Sequence, residues 1–563
     1  MNVKCVLIAA SIFAVPVQRA LAGPQETLGT HGMVATAQAE ASAVGQRILA
    51  AGGNAIDAAV AVGYALAVVE PCCGNIGGGG FMLVHRPGYD DKVINFREKA
   101  PLAATETMYL GTAGDPLRDA SLYGYLAAGV PGTVMGLDRA ESEFGRLGRE
   151  AVMQPSIALA HDGFVLSESD AATLAAKAQR LAQDPAAARI FLHADGALYR
   201  AGERLVQSDL AHTLGLIAER GPAAFYRGPI ATSMVEAAAR NHGVLTQQDL
   251  AAYTTTEDAP VTCDYHDYHF ISAPPPSSGG TVLCEMLEIV ADWPLSRLGA
   301  RTPQTVHLMA EAMRQGFRDR NTVLGDPAFV PDRHAELLSA AHIDVIRAAI
   351  DPARATPTVA LPAERQPREQ PQTTHYSVVD EEGNAASVTY TLNGNFGAAV
   401  VPPGTGFLLN NEMDDFSIKA GVANLFGLQQ GAANAIAPGK RPLSSMTPVI
   451  VEKGGKPLLV VGSPGGPRII TTVFETILNI IDFGMTPGEA VAAPRFHHQS
   501  LPDTLYYERG AFTSETIDSL AERGYHLTEQ SHWGGVELVA IGPNGEMIGV
   551  NDPRRPGGAA LGN

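Results

Sequence analysis

Thr373-Thr374-His375-Tyr376-Ser377-Val378-Val379-Asp380 is a β-rich run that starts straight after a segment able to form neither a helix nor a central strand. Between Asp351 and Gln372, prolines stand at 352, 357, 362, 367 and 371 among Arg, Glu and Gln. Proline removes a backbone donor and the polar residues offer nothing to pack, so this segment reads as an exposed linker. A second run, Ala385–Asn393, follows Glu381-Glu382-Gly383-Asn384, and the pair predicts a hairpin. Thr-Thr commonly opens a strand, and that is one reading. The other is chemical. A threonine hydroxyl is a weak nucleophile unless a base lies beside it, and a free N-terminal α-amine is such a base. Its pKa of about 7.7–8.0 lies close to working pH. A chain that cut itself before Thr373 would create that terminus.

Outward from this point the same grammar continues. Pro448–Glu452 and Leu458–Val461 flank Lys453-Gly454-Gly455-Lys456 and predict a second hairpin. It ends in Gly462-Ser463-Pro464-Gly465-Gly466, with a helix expected from Pro467. Thr486-Pro487-Gly488-Glu489 is a capping box for a further helix. Upstream, residues 37–51 read as a helix stopped by Gly52-Gly53, and Asn54 caps the next one from Ala55. Gly77 to Gly80 precede an apolar strand at Phe81–His85. The run lacks the lysine of a phosphate loop and opens no helix, so it reads as a turn allowing close backbone approach. Residues 120–350 are mostly helical in pattern, interrupted by Pro274-Pro275-Pro276-Ser277-Ser278-Gly279-Gly280.

Composition limits what such a chain can do. Hydrophobic residues make up 45% and charged residues 18% of 563, enough for a large core and unlike disordered or collagenous chains. At roughly 150 residues per domain, the length suggests three or four units. Forty Lys and Arg against 59 Asp and Glu give a net charge of −19, with no basic run, which argues against nucleic acid as a partner. Lys4, the apolar run Cys5–Val17 and Ala20-Leu21-Ala22 have the layout of a signal peptide over residues 1–22. The remaining protein is expected to be periplasmic or secreted, without a membrane span. Its cysteines, Cys72, Cys73, Cys263 and Cys284, show no metal-ligand spacing, and their pairing is open. His497-His498, adjacent on an extended chain, point to opposite faces and read as structural. No metal is expected.

Further features bear on chemistry. Gly465-Gly466 is either a tight turn or, just before a helix, a pair of backbone N–H groups aimed at a developing oxyanion. Glu412, Asp414 and Asp415 form an acidic group that would ordinarily be a solvated loop. Arg97, in Phe96-Arg97-Glu98-Lys99, would by default make a surface ion pair. Acids and an arginine together can also hold an ammonium and a carboxylate, the two ends of a free amino acid.

These residues lie within long motifs that resemble the γ-glutamyltransferase (γ-glutamyltranspeptidase, glutathione hydrolase) family along nearly the whole chain. The motifs are GGNAIDAAVA from Gly52, GNIGGGGFML from Gly74, FREKAP from Phe96, PPPSSGG from Pro274 and GDPAFV from Gly325. They continue with TTHYSVVD from Thr373, LLNNEMDDFS from Leu408, RPLSSMTP from Arg441, GSPGGPRIITT from Gly462 and APRFHHQ from Ala493. The resemblance implies an α/β (α+β) protein of the N-terminal-nucleophile hydrolase fold, a four-layer αββα sandwich. It implies one inactive precursor cut between Gln372 and Thr373 into a large subunit, 23–372, and a small catalytic subunit, 373–563, intertwined as one composite domain.

By resemblance, Thr373 is the nucleophile and Thr391 the hydroxyl that activates it. Arg97, Ser444 and Ser445 match the site for the substrate α-carboxylate. Asn393, Glu412 and Asp415 match the α-ammonium site, and Gly465 and Gly466 the oxyanion hole. The implied reaction hydrolyses glutathione and other γ-glutamyl amides, or transfers the γ-glutamyl group to amino acid or dipeptide acceptors, without a cofactor. Such a site selects γ-linkage because only a γ-glutamyl bond leaves both ends of glutamate free. A related acylase for glutaryl or cephalosporin amides is the rival enzyme, and an uncleaved binder of γ-glutamyl peptides the rival of another class.

The sequence departs from its relatives in places. Position 412 is Glu where many bacterial members have Gln. Cys72-Cys73 replaces a pair that is commonly not cysteine. Residues 422–428 fit a lid, with Phe426 at an aromatic gate position that is often tyrosine.

Overall fold

The two hairpins become neighbours in two seven-stranded antiparallel sheets. The computed structural model describes residues 25–358 and 373–563. The expected signal peptide, most of the proline-rich linker and Gln372 lie outside the described residues. In spatial order the first sheet runs Ala559–Gly562, Gly32–Thr36, Thr374–Asp380, Ala385–Thr391, Gly79–His85, Lys92–Asn95 and Thr256–Asp258. The second runs Gln25–Gly29, Met547–Asn551, Glu537–Ile541, Lys456–Gly462, Val449–Lys453, Tyr268–Ser272 and Val261–Tyr265. The expected hairpins are thus found within a residue or two of their sequence limits, and the first one is flanked on both sides by strands from the chain's beginning.

Every residue of Thr374–Asp380 and Ala385–Thr391 is buried, so the period-2 alternation sorts two buried faces rather than a wet and a dry one. Tyr376, Val378, Val388 and Tyr390 pack against the helical layer, where the Tyr390 hydroxyl donates to the Gly63 carbonyl at 2.8 Å. The opposite face looks at the second sheet. There Ser377 Oγ donates to the Glu537 carbonyl at 2.9 Å, and Ser387 Oγ accepts from Val449 N–H at 3.1 Å. Thr373, His375, Thr389 and Thr391 share this parity, which delivers both threonine hydroxyls to the gap between the sheets.

Helices close the sandwich on both sides. Ala39–Ala50 and Ala55–Val69 cover the first sheet; Gly279–Val290 and Arg468–Ile481 cover the second. The layers are therefore helix, sheet, sheet, helix. Ala55–Val69 is buried all round and starts with the expected cap. Asn54 Oδ1 accepts from the N–H groups of Ile56 and Asp57 at 2.9 and 3.0 Å, and Asp57 answers on Asn54 N–H at 2.7 Å. Such a cap contributes about 1 kcal/mol. Thr486 and Glu489 make the second capping box, and Pro467 stands at the start of the helix that follows Gly465-Gly466 without a side-chain capping bond.

The cysteine pairing left open by the sequence resolves into two bonds. Cys263–Cys284 ties the strand Val261–Tyr265 to the helix Gly279–Val290, and Cys72 joins its neighbour Cys73.

Candidate active site

At one end of the gap between the sheets lies a small cavity. Its lining includes Arg97, Thr373, Thr391, Asn393, Glu412, Asp415, Phe426, Ser444, Ser445 and Gly466, which the chain supplies from positions more than 350 residues apart. Of the candidate residues, Gly465 stands one residue behind the lining, and Gln372 lies outside the described residues.

Thr373 immediately precedes the strand Thr374–Asp380, and Thr391 ends its partner strand. Their hydroxyl oxygens are 3.1 Å apart. Thr391 is held in turn by the Asn393 N–H, which donates to its Oγ1 at 2.9 Å. The close approach depends on the glycine run: a Cβ at Gly78 would collide with the Thr391 carbonyl oxygen. Arg555, near the C-terminus, donates to the Thr373 carbonyl at 3.3 Å and also pairs with Glu70 at 3.3 Å.

Arg97 departs from its default reading. It is fully buried, paired with Glu412, with Asp415 at 2.6 Å and with Glu98 at 3.5 Å, while Nε donates to the Pro442 carbonyl at 3.2 Å. The acidic group is not a solvated loop either. Glu412 and Asp414 are buried, and Asp415 is only partly open. Asp414 turns away from Arg97, accepting from Ser121 Oγ at 2.7 Å and from the Leu425 N–H at 2.8 Å. It thereby anchors the segment that carries Phe426.

Burial sets the charge balance here. It pushes the Glu98 carboxyl up to about 7 and the Glu412 carboxyl well above the usual range, against the attraction of Arg97. For Arg97 burial acts the other way, but Glu412, Glu98 and Asp415 overcome it and hold the guanidinium firmly charged.

Ser444 and Ser445 are braced by the proline-serine-glycine segment. The N–H and Oγ of Ser278 both donate to the Ser444 carbonyl, at 2.9 and 2.7 Å, and Ser444 N–H donates to the Pro276 carbonyl at 2.8 Å. Gly466 has φ of 55°, and a Cβ there would fall 2.6 Å from the Phe426 ring, so the glycine lets the ring close over the cavity.

Arg320 lines the same cavity and was not singled out from the sequence. Its guanidinium donates to Ser445 Oγ at 3.0 Å, Ser278 Oγ at 3.0 Å and Gln430 Oε1 at 3.1 Å, and burial lowers it to about 10. A signal was present. Met313, Phe317 and Arg320 fall on one face of the helix Pro303–Val323, which puts a charge in an apolar stripe.

The layers, with a threonine at the start of a central strand and a hydroxyl beside it, are those of the N-terminal-nucleophile hydrolases. A cephalosporin acylase from Bacillus halodurans matches with a TM-score of 0.85 at 27% identity, covering 99% of this chain and 99% of that one. The chain belongs to the γ-glutamyltranspeptidase family, whose model matches residues 41–562. It is 49% identical over 541 residues to a glutathione hydrolase proenzyme of Pseudomonas sp. (strain A14), covering 94% of each chain. It is 45% identical over 525 residues to the glutathione hydrolase proenzyme of Escherichia coli (strain K12), covering 93% of this chain and 90% of that one.

Proposed function

We propose that the protein is a self-cleaving γ-glutamyltransferase and glutathione hydrolase. The observation that carries this is the meeting of Thr373 and Thr391 with Arg97, Glu412 and Asp415 on one small cavity. Cleavage between Gln372 and Thr373 frees an α-amine beside the Thr373 hydroxyl. That amine takes the hydroxyl proton as Oγ1 attacks the γ-carbonyl carbon, with Thr391 orienting the nucleophile. The N–H groups of Gly465 and Gly466 receive the oxyanion. On collapse the Thr373 α-ammonium gives its proton to the departing nitrogen, which leaves as the amine of cysteinylglycine, and a γ-glutamyl ester remains on Thr373. Water or an acceptor amine then resolves it.

Arg97 pairs with the two acids that would take the substrate ammonium. A γ-glutamyl group exchanges these contacts: its α-carboxylate takes Arg97, with Ser444 and Ser445, and its α-ammonium takes Glu412, Asp415 and Asn393. A glutaryl amide has no ammonium to offer the acids. Arg320 holds Ser445 and so shapes the carboxylate side. Phe426 forms the gate over the bound group.

Export to the periplasm or medium is part of this reading, supported by the apolar run before Ala20-Leu21-Ala22. No helix among the described residues is long and apolar enough to cross a membrane.

The test is the N-terminal sequence of the smaller fragment of the purified protein, expected to begin Thr-Thr-His-Tyr. Thr373→Ala should leave one uncut chain with no turnover of a γ-glutamyl amide. A normally processed or active Thr373→Ala protein refutes the assignment.

A further inference from the structure

We propose that Glu285, Asp319 and His342 form a binding site for a first-row divalent cation of the Zn²⁺ type, separate from the Thr373 cavity. The three residues come from three helices, Gly279–Val290, Pro303–Val323 and Ala340–Ala349. Their ligand atoms all lie within 4.8 Å of one another. His342 Nε2 is 2.7 Å from Asp319 Oδ2 and 3.8 Å from Glu285 Oε1. A tetrahedral ion with bonds of about 2.0–2.1 Å needs ligand atoms roughly 3.3 Å apart. The two observed separations bracket that value.

Glu285 supplies the second, independent observation. It is fully buried, and neither carboxylate oxygen has a hydrogen-bond partner among the described residues. A buried carboxylate is normally paired or coordinates a metal, and the nearest cationic group that Glu285 meets is the His342 ring. Asp319 and His342 are partly open to solvent, at 13% and 28% of the side chain, which leaves a coordination position for water. One imidazole nitrogen with two carboxylates suits zinc or manganese better than calcium or magnesium, which prefer oxygen alone.

The other clusters are weaker. At His85, Asp91 and Glu452 both acids are partly open to water, at 19% and 13% of the side chain, and neither is a buried carboxylate without a partner, and the sulfurs of Cys72 and Cys73 are joined to each other.

The sequence expectation of no metal rested on local ligand spacing, and these ligands have none. A bound ion would clamp Ala340–Ala349, the last helix before the proline-rich linker, onto its neighbours. It would also fix Asp319, next in the chain to Arg320. Because the site shares no ligand with the cavity, it stands or falls apart from the proposed reaction.

The experiment is equilibrium dialysis of chelator-treated, purified protein against Zn²⁺ alone, with metal content read by elemental analysis and the thermal midpoint read in parallel. The expected result is one equivalent bound at micromolar free Zn²⁺, with a raised midpoint. Glu285→Gln and His342→Ala should each weaken binding at least tenfold, and His85→Ala should leave it unchanged. The proposal is overturned if the unaltered protein takes up no stoichiometric Zn²⁺, if binding survives both substitutions, or if it is lost in His85→Ala instead.

Discussion

Three neighbouring acids at 412, 414 and 415 have different tasks, and only their surroundings say which. Asp415 reaches Arg97 at 2.6 Å, whereas Asp414 is spent on Ser121 and the Leu425 N–H. In the sequence all three look like a solvated loop, because nothing local announces that Arg97 is buried beneath them. The pairing of Arg97 with this group crosses more than 300 residues, beyond the range of any spacing rule. The family motifs were therefore the legible part, and the burial was not. Asp415→Asn keeps the shape and removes the charge. A hydrogen bond to a charged group contributes about 1.5–3 kcal/mol, so kcat/KM for a γ-glutamyl amide should fall roughly 10- to 150-fold. A glutaryl amide, lacking the ammonium, should lose little. Steady-state kinetics on both substrates decides it, and equal losses would remove Asp415 from the ammonium site.

Among the elements, the strand Thr374–Asp380 was the most readable and yet held a surprise. Its β-branched and aromatic content announced a strand, but not that its polar residues His375 and Ser377 would be enclosed. Both are fully buried because a second sheet covers that face. His375 lies between Thr389 Oγ1 at 2.8 Å and Ser377 Oγ at 3.1 Å, and burial pushes its pKa down to about 3. The folded value lies below the unfolded value of about 6.5, so the neutral imidazole favours folding above pH 6.5. That stability is lost as pH falls from there toward 3, at up to about 1.4 kcal/mol per pH unit. Denaturant midpoints between pH 7 and 4 should therefore fall less steeply in His375→Gln than in the unaltered protein, by about one proton's slope. Parallel acid limbs would mean that His375 does not carry this dependence. Gly466 offers a second test at this scale. With φ of 55° and the Phe426 ring 2.6 Å from where a Cβ would be, Gly466→Ala forces the turn or the ring to move. Turnover should drop at least tenfold with only a modest loss in thermal midpoint, and full activity would separate the turn from the oxyanion.

For the whole molecule, the arrangement of covalent links makes a prediction that the sequence alone could not, because it left the cysteine pairs open. Both disulfides, Cys72–Cys73 and Cys263–Cys284, close within the part of the chain before Thr373. A cut at Thr373 would therefore leave two fragments with no covalent tie among the described residues. A denaturing gel run without reductant should show two bands, unchanged by adding reductant. Under native conditions the fragments should stay together, because the hairpin of Thr374–Asp380 and Ala385–Thr391 is inserted between Gly32–Thr36 and Gly79–His85 in one sheet. Separated, the small fragment would expose both edges of that hairpin and the apolar face that the helix Ala55–Val69 covers. It should accordingly fail to refold alone, remaining without cooperative unfolding by circular dichroism. A small fragment that refolds cooperatively by itself would contradict the shared sheet.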